Sequence, residues 1–575
     1  MTKPADHRSL LSWLQPLLLW LPPVLFLSLF YFYPLGSILQ VAFERSQAGL
    51  AGPFYEVFSS PGIRNVIAFT FWQAALSTLL TLLIGLPGAY LFARYEFRGK
   101  SLVRALTAVP FVLPTLVVAA AFNTLLGPRG WVNLALMDSF HLLLPPIKFT
   151  NSLTAILMAH VFYNTTIILR MVGDYWSHLD PRMSQAALTL GASPLKTIQH
   201  VTLPLLMPAV LAAALLVFIF DFTSFGVILV LGGPRFATME VEIYYQTISL
   251  FNLPLAAALS IIQLTCTLGL TILYTQLSKR LQRPLSLRPV KYTQRRLRTW
   301  QSRVFVTLFM GVLLGLLTIP LLSLAARSVV SLERGPDPSN TNPQFTLAYY
   351  QELNQNRRDS LFFVKPINAI GISLAYASMT VMLALALGLP AALTLARDQD
   401  WRLNRWLDPL IMLPLGTSAV TLGLGFIVAL DQPPFDLRAS PLLIPIAHTL
   451  VAFPFVVRSL VPSLRSIRPR LRQAAAVLGA APSQVVRQID LPLVGRALLV
   501  AAAFAFSISL GEFGATALVS RPEYPTVPVM IYRYISQPGS LNYGQALALS
   551  TLLMIATAVG MLVIERLRLA DIGEF

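Results

Sequence analysis

Charged residues are scarce in this chain. Only 12% of its 575 residues are Asp, Glu, Lys or Arg, about half the share found in a soluble domain. With 55% hydrophobic residues and a mean hydropathy of +0.66, the chain is expected in a lipid bilayer. Cysteine is nearly absent. Cys266 stands alone, which excludes an intrachain disulfide framework, and its apolar neighbours make it a small core residue. Six histidines are scattered without HExxH or other zinc-ligand spacing, so no metal site is expected. No nucleophile and base stand together, so the chain does not read as an enzyme. Acidic residues are the rarest charged class, 25 against 43 basic, for a net charge of +18. In a soluble protein that excess would suggest nucleic acid. Here the basic residues cluster between apolar runs and form no groove pattern with aromatics, so no nucleic-acid partner is expected.

Long apolar runs are what the chain does have. Each run of about 20 residues is long enough to cross a bilayer. Twelve are expected, near 15–43, 65–93, 103–127, 151–173, 201–233, 253–278, 304–328, 366–396, 406–430, 440–463, 491–519 and 541–564. The first is too long for a signal-peptide core and reads as a span. Proline and glycine inside them, as in "GLPGAY" and "GLPAAL", are tolerated in helical membrane bundles. With a cytoplasmic N-terminus, inside segments hold about 30 of the 43 basic residues, including "KRLQRPLSLRPVKYTQRRLR" at 279–298. The positive-inside rule therefore places both termini in the cytoplasm. The external loop at about 331–366 is turn-rich and polar.

The chain repeats itself. "QAALTLGASPLKTIQHVTLP" begins at Gln185 and "QAAAVLGAAPSQVVRQIDLP" at Gln473, an offset of 288, with 10 of 21 positions identical through Leu205. The same offset pairs His160 with His448, Arg170 with Arg458, and "SFG" at Ser224 with "EFG" at Glu512. Nearer the start of each half, "GLPGAYLFAR" at Gly85 matches "GLPAALTLAR" at Gly388 with an offset of 303. The first half thus carries 15 more residues, assigned to the external loop at 127–150. The expected division is a first half at 1–281 with six spans, a basic cytoplasmic linker at 282–303, and a second half at 304–575 with six spans. An even number of spans in each half makes the repeats parallel. The expected fold is all-α, polytopic, with two parallel six-helix repeats.

Each copy of the polar segment, about 181–204 and 469–492, falls in a cytoplasmic loop. Asp180 and Pro181 suit a helix start. Gly191 suits a left-handed helix end, and Ser193 with Pro194 starts a second short helix. Gly479 and Pro482 keep these roles, whereas Ala481 is a poorer cap than Ser193. Ala186, Ala187, Ala474 and Ala475 form small-residue surfaces that admit close approach of another body. Two copies in register point to docking of two like partners. A single such loop would equally suit packing on its own bundle.

These residues resemble the "EAA" loop, E-A-A-x-x-x-G ending in L-P, of binding-protein-dependent ABC importer permeases. Ala186, Ala187, Gly191, Leu203 and Pro204 match in one half, and Ala474, Ala475, Gly479, Leu491 and Pro492 in the other. Gln185 and Gln473 replace the family's glutamate, which removes any salt bridge there and leaves a hydrogen-bonding group. Over nearly the whole chain the resemblance is to fused two-half permeases of the thiamine and ferric iron importers. It implies that each loop is a coupling helix in a groove of an ATP-hydrolysing subunit. It also implies two copies of that ATPase, an external substrate-binding protein, a prokaryotic inner membrane, and no cofactor in this chain, ATP being bound by the partner. "FRGKS" at 97–101 has Arg94 where a phosphate loop needs glycine, and reads as a basic turn. A twelve-span secondary transporter is the alternative reading.

Ionisable groups inside spans are candidates for the translocation path. Asp221 in "FIFDFTSFG" and Glu512 in "SLGEFGA" are the two chosen, carboxylates suited to a cationic substrate. His160 and His448 read as interhelix hydrogen-bonding residues. "LGGPRFAT" at Leu231 reads as a loop at the outer end of span five.

Overall fold

The computed structural model describes residues 10–44, 52–281, 294–297, 299–331, 344–355, 364–397, 402–431, 436–438 and 440–572. The N-terminal nine residues, most of the basic linker and most of the turn-rich external loop lie outside the described residues. Among the described residues the protein is helical, apart from two pairs of two-residue strands. Among the described residues nine helices are long and apolar enough to cross a membrane, and three further pairs, each bent at a short break, raise the number to as many as twelve. These nine helices and three bent pairs fall on the twelve apolar runs expected from hydropathy. The third bends by 106° between Val112 and Thr115, the ninth by 96° between Gly416 and Ala419, and the eleventh by 74° at Val494. Proline accounts for the first break: Pro114 lacks a backbone donor and pushes Leu113 into extended geometry, φ −66° and ψ 140°. At the second break Ser418 accepts from the backbone N–H of Val420 and Thr421 at 3.1 and 3.2 Å, and so starts a new helix. The fifth span also stops earlier than its apolar run. It ends at Phe222, and Gly226–Leu231 forms a separate short helix.

Packing divides the chain into two compact units. In one, Pro61–Arg94, Leu153–His178 and Leu203–Phe222 pack on one another, and Trp300–Val329 lies along Thr115–Leu126. Ser323 Oγ donates to Thr124 Oγ1 there at 3.1 Å. In the other, Pro366–Arg397, Leu443–Ser466 and Gly495–Gly511 form the equivalent group. The N-terminal helix belongs to this second unit, where Trp20 Nε1 donates to Asn404 Oδ1 at 3.0 Å and Tyr31 and Thr417 share a 2.6 Å hydrogen bond. The division expected at 1–281, 282–303 and 304–575 is drawn from the repeat in sequence alone. Packing draws different lines, because span one and span seven each join helices from the other half of the chain.

The two central helices are repeat partners. Leu153–His178 and Leu443–Ser466 are 78% and 72% buried over their apolar windows, while Trp300–Val329 is only 33% buried and turns Leu308, Val312 and Leu322 outward. The glycines of "GLPGAY" and "GLPAAL" explain the close approach. A Cβ on Gly85 would sit 2.7 Å from Ile168, and one on Gly388 would sit 2.6 Å from Val456. Small residues at such crossings let membrane helices approach closely.

Candidate functional site: the repeated loops and the buried polar networks

The polar segment folds the same way twice. Arg182–Thr189 and Pro469–Val477 are short helices with no buried side chain. Each ends in a left-handed glycine, Gly191 at φ +88° and Gly479 at φ +85°. In the first copy Gly191 N donates to Leu188 O and Ala192 N to Ala187 O, both at 3.0 Å. In the second, Gly479 N donates to Ala476 O and Ala480 N to Ala475 O, also at 3.0 Å. This paired pattern closes the helix end and needs a residue that accepts positive φ. A second short helix and one turn of π-helix follow in each copy, Ile198–Thr202 and Val486–Asp490. Asp180 Oδ1 accepts from Arg182 N at 3.0 Å, and Ser193 Oγ accepts from Lys196 N at 3.3 Å. Where Ala481 replaces that serine, Gln484 Oε1 accepts from Ala481 N at 2.7 Å and steadies the same turn from the other side.

The residues singled out in sequence stand on the outside of these loops. Gln185, Ala186, Gln473 and Ala474 are exposed, and Ala187 and Ala475 are half-buried. Apolar side chains stand beside them uncovered, Leu190 at 89% exposure, Val477 at 87% and Leu478 at 86%. The loops differ in how they are tied down. In the second, Asp490 is fully buried, with Arg472 Nε donating to Oδ1 at 2.7 Å and Arg397 Nη2 donating to Oδ2. In the first, the positions of Arg472 and Asp490 hold Ser184 and Thr202, whose hydroxyls lie 3.3 Å apart. This triad is not legible in the sequence. Arg397 follows the 303 offset and Asp490 the 288 offset, so no single register aligns the pair with anything informative.

Asp221 and Glu512 are both buried, 1% and 8% exposed. Asp221 Oδ1 accepts from Asn164 Nδ2 at 2.7 Å and lies 3.3 Å from His160 Nδ1. His160 also lies 3.0 Å from Ser77 Oγ and 2.9 Å from Ser224 Oγ. In the second half His448 Nε2 lies 3.2 Å from Glu512 Oε2 and 2.8 Å from Thr516 Oγ1, and its Nδ1 lies 2.7 Å from Ser509 Oγ. Glu512 Oε1 accepts from Ala515 N at 2.8 Å and caps Gly514–Val519. The interhelix histidines thus do hydrogen-bond across helices in both halves. The repeat also exchanges acid for serine: the pair Asp221/Ser224 becomes Ser509/Glu512. Each histidine keeps one carboxylate, on the Nδ1 side in the first half and the Nε2 side in the second. The exchange was visible in sequence at the 288 offset, but only the helix crossings show that both carboxylates meet a histidine.

"FRGKS" is a turn, with Gly99 at φ +81°. Lys100 Nζ donates to Phe92 O at 2.6 Å and Tyr95 O at 2.9 Å, covering the carbonyls at the end of Pro61–Arg94. Burial first, and Arg104 second, pull its pKa down to about 8.

A duplicated set of membrane helices, each set presenting the same exposed helix–turn–helix, defines a two-repeat, multi-pass membrane protein. The chain belongs to the family of the binding-protein-dependent transport system inner membrane component, which it matches twice, over residues 82–283 and 366–569. It is similar to a probable ABC transporter permease protein, y4fN, of Sinorhizobium fredii, 26% identical over 95% of both chains. It is also similar to the thiamine transport system permease protein ThiP of Escherichia coli, 27% identical over 83% of this chain and 85% of that one. ThiP of Brucella abortus is 27% identical over 92% of both chains. A crystal structure of a bacterial ABC transporter involved in the import of alginate aligns with a TM-score of 0.39 and 21% identity, over 47% of this chain and 97% of that chain. The protein is thus an ABC importer permease subunit with two permease halves in one chain, and a component of an inner-membrane transport system rather than an enzyme.

Proposed function

We propose that this permease imports thiamine, delivered by an external binding protein and driven by two separate ATPase subunits that dock on 181–204 and 469–492. The observation that carries the substrate is the likeness to the thiamine permeases, which extends over 83% and 92% of this chain. The docking reading rests on the uncovered apolar side chains beside two closed glycine turns. Exposed apolar residues on an otherwise polar loop mark a contact surface. Both termini lie in the cytoplasm in this reading, and ATP is bound by the partner. Ferric iron is the second substrate that the sequence resemblance brings in, and family membership removes the secondary-transporter alternative. Co-expressing the chain with its genomic ATPase and binding protein, then measuring ATP-driven uptake of labelled thiamine into vesicles, tests the reading. Saturable uptake that ferric iron does not compete with is expected. Uptake of ferric iron alone would replace thiamine as the substrate.

Asp221 and Glu512 are proposed to serve the path of that cation through the networks around His160 and His448. Asp221→Asn and Glu512→Gln are expected to lower uptake severalfold while the ATPase still co-purifies, since an intramembrane carboxylate is retained at a cost of a few kcal/mol. Wild-type uptake in both variants would confine these residues to holding the helices together.

A further inference from the structure

The 288 offset reaches beyond the segments that first revealed it. It pairs Thr238 with Thr526, Val241 with Val529, Ile243 with Ile531 and Tyr244 with Tyr532. The fold supports this register. Met239 N donates to Thr70 Oγ1 at 3.0 Å and Val527 N donates to Ser373 Oγ at 2.9 Å, so equivalent backbone groups are held by equivalent hydroxyls. Tyr244 and Tyr532, both in the same compact unit, lie within hydrogen-bonding reach of each other. Tyr244 and Tyr532 are therefore equivalent positions of the two repeats that meet inside one unit. In a transporter built from parallel repeats, a pair of this kind can close the substrate path.

The surroundings have a definite chemistry. The Phe225 ring lies 5.4 Å from the Tyr244 ring, and the Tyr245 ring lies 5.9 Å from it. Glu242 and Tyr532 both lie within electrostatic reach of Tyr245. Gln246 Nε2 donates to Glu242 Oε1 at 2.7 Å and fixes that carboxylate. Glu242, Tyr244, Tyr245 and Tyr532 are all half-buried, so each keeps an open side. The second repeat has Met530 and Arg533 in place of Glu242 and Tyr245, so the first supplies the carboxylate. The helix Leu203–Phe222 separates this cluster from the first docking loop. Its 20 residues span about 30 Å, which places the cluster at the far end of the span.

We propose that the Tyr244–Tyr532 pair is a gate on the translocation path, and that Glu242, Tyr245 and Phe225 beside it form a subsite for an organic cation. Aromatic faces attract a cation through their quadrupole, and a single fixed carboxylate adds charge selectivity where the path narrows. The proposal rests on the permease reading, but not on which binding protein or which cargo serves it.

The test uses the purified complex of this chain with its ATPase in liposomes loaded with labelled thiamine or with sucrose, without ATP or binding protein. The wild type holds both solutes. Tyr244→Ala with Tyr532→Ala is expected to release thiamine at least about tenfold faster, whereas the Phe pair, which keeps the bulk, releases it more slowly than the Ala pair. Adding Glu242→Gln to the Ala pair is expected to slow thiamine efflux about fivefold and leave sucrose efflux unchanged. An Ala pair as tight as wild type overturns the gate. A Glu242→Gln effect on both solutes, or on neither, overturns the cation subsite. Tyr532→Cys in a Cys266→Ser background gives a second reading should the Ala pair not assemble. A cationic thiol reagent should label it faster than a neutral one, and thiamine should protect it. Equal labelling without protection overturns the subsite as well. If thiamine is not the cargo, ATP-driven uptake of thiamine is absent while the cation-selective leak persists, so the two failures are distinguishable.

Discussion

Gly191→Asp combined with Gly479→Asp is expected to leave the protein in the membrane, abolish co-purification of the ATPase and reduce uptake to background. Both glycines sit at positive φ, +88° and +85°, and a Cβ at either would meet nothing within 4 Å. Room is therefore not the obstacle inside this chain. A side chain costs each turn about 1 kcal/mol through its backbone conformation, too little to unfold a bundle of this size. The larger part of the loss falls on the docked partner, which is expected to approach the alanines beside the turn. An Asp adds bulk and a charge where close approach is required, and burying an unpaired charge in an interface costs several kcal/mol. The single Gly→Ala variants isolate the turn and should weaken ATPase recovery only modestly, by less than about tenfold. Each single Asp variant removes one of two docking sites and should already depress uptake strongly, because both ATPases act together. Normal ATPase recovery and uptake in the double Asp variant would show that these loops are not coupling elements.

Asp490→Ala is expected to destabilise the second loop by about 3 kcal/mol, since it leaves Arg397 and Arg472 without their buried counter-charge. Thr202→Val, the equivalent change in the first loop, should cost less than about 1 kcal/mol, because a neutral hydroxyl pair contributes little net stability. Thermal unfolding of the detergent-solubilised chain and hydrogen exchange over 469–492 measure the difference. Arg472 also donates to Leu464 O at 3.1 Å, so it joins the docking helix to the end of Leu443–Ser466. Loss of Asp490 should therefore raise exchange in the docking helix and in the last turn of that membrane helix together. Equal effects of the two substitutions would show that the ionic triad carries no special weight in holding the second loop.

The sequence by itself determined a large part of this protein. Its twelve apolar runs fall on nine membrane-length helices and three bent helix pairs among the described residues, because the bilayer leaves a backbone few other ways to satisfy its hydrogen bonds. The repeat at 288 was plain, and so were the helix ends at Gly191 and Gly479, because a closed helix end with positive φ selects glycine locally. The glycines of "GLPGAY" and "GLPAAL" were legible as motifs but not as contacts. Their reason is Ile168 and Val456, residues far along the chain. The same limit hid the rest. Span one packs in the unit of the second half through Trp20 and Asn404, 384 residues apart. Hydropathy gives each helix its length but does not say which neighbour it meets. Asp221 and Glu512 were legible as buried acids, yet their histidine partners depend on how Leu153–His178 and Leu443–Ser466 cross the fifth and eleventh spans. Arg397 reaches Asp490 across 93 positions, and Tyr244 meets Tyr532 across 288. Such pairings follow from the close packing of whole helices, where small side chains allow approach and bulky ones set the angle. Local composition and spacing carry no trace of that geometry, and only the tertiary structure decided it.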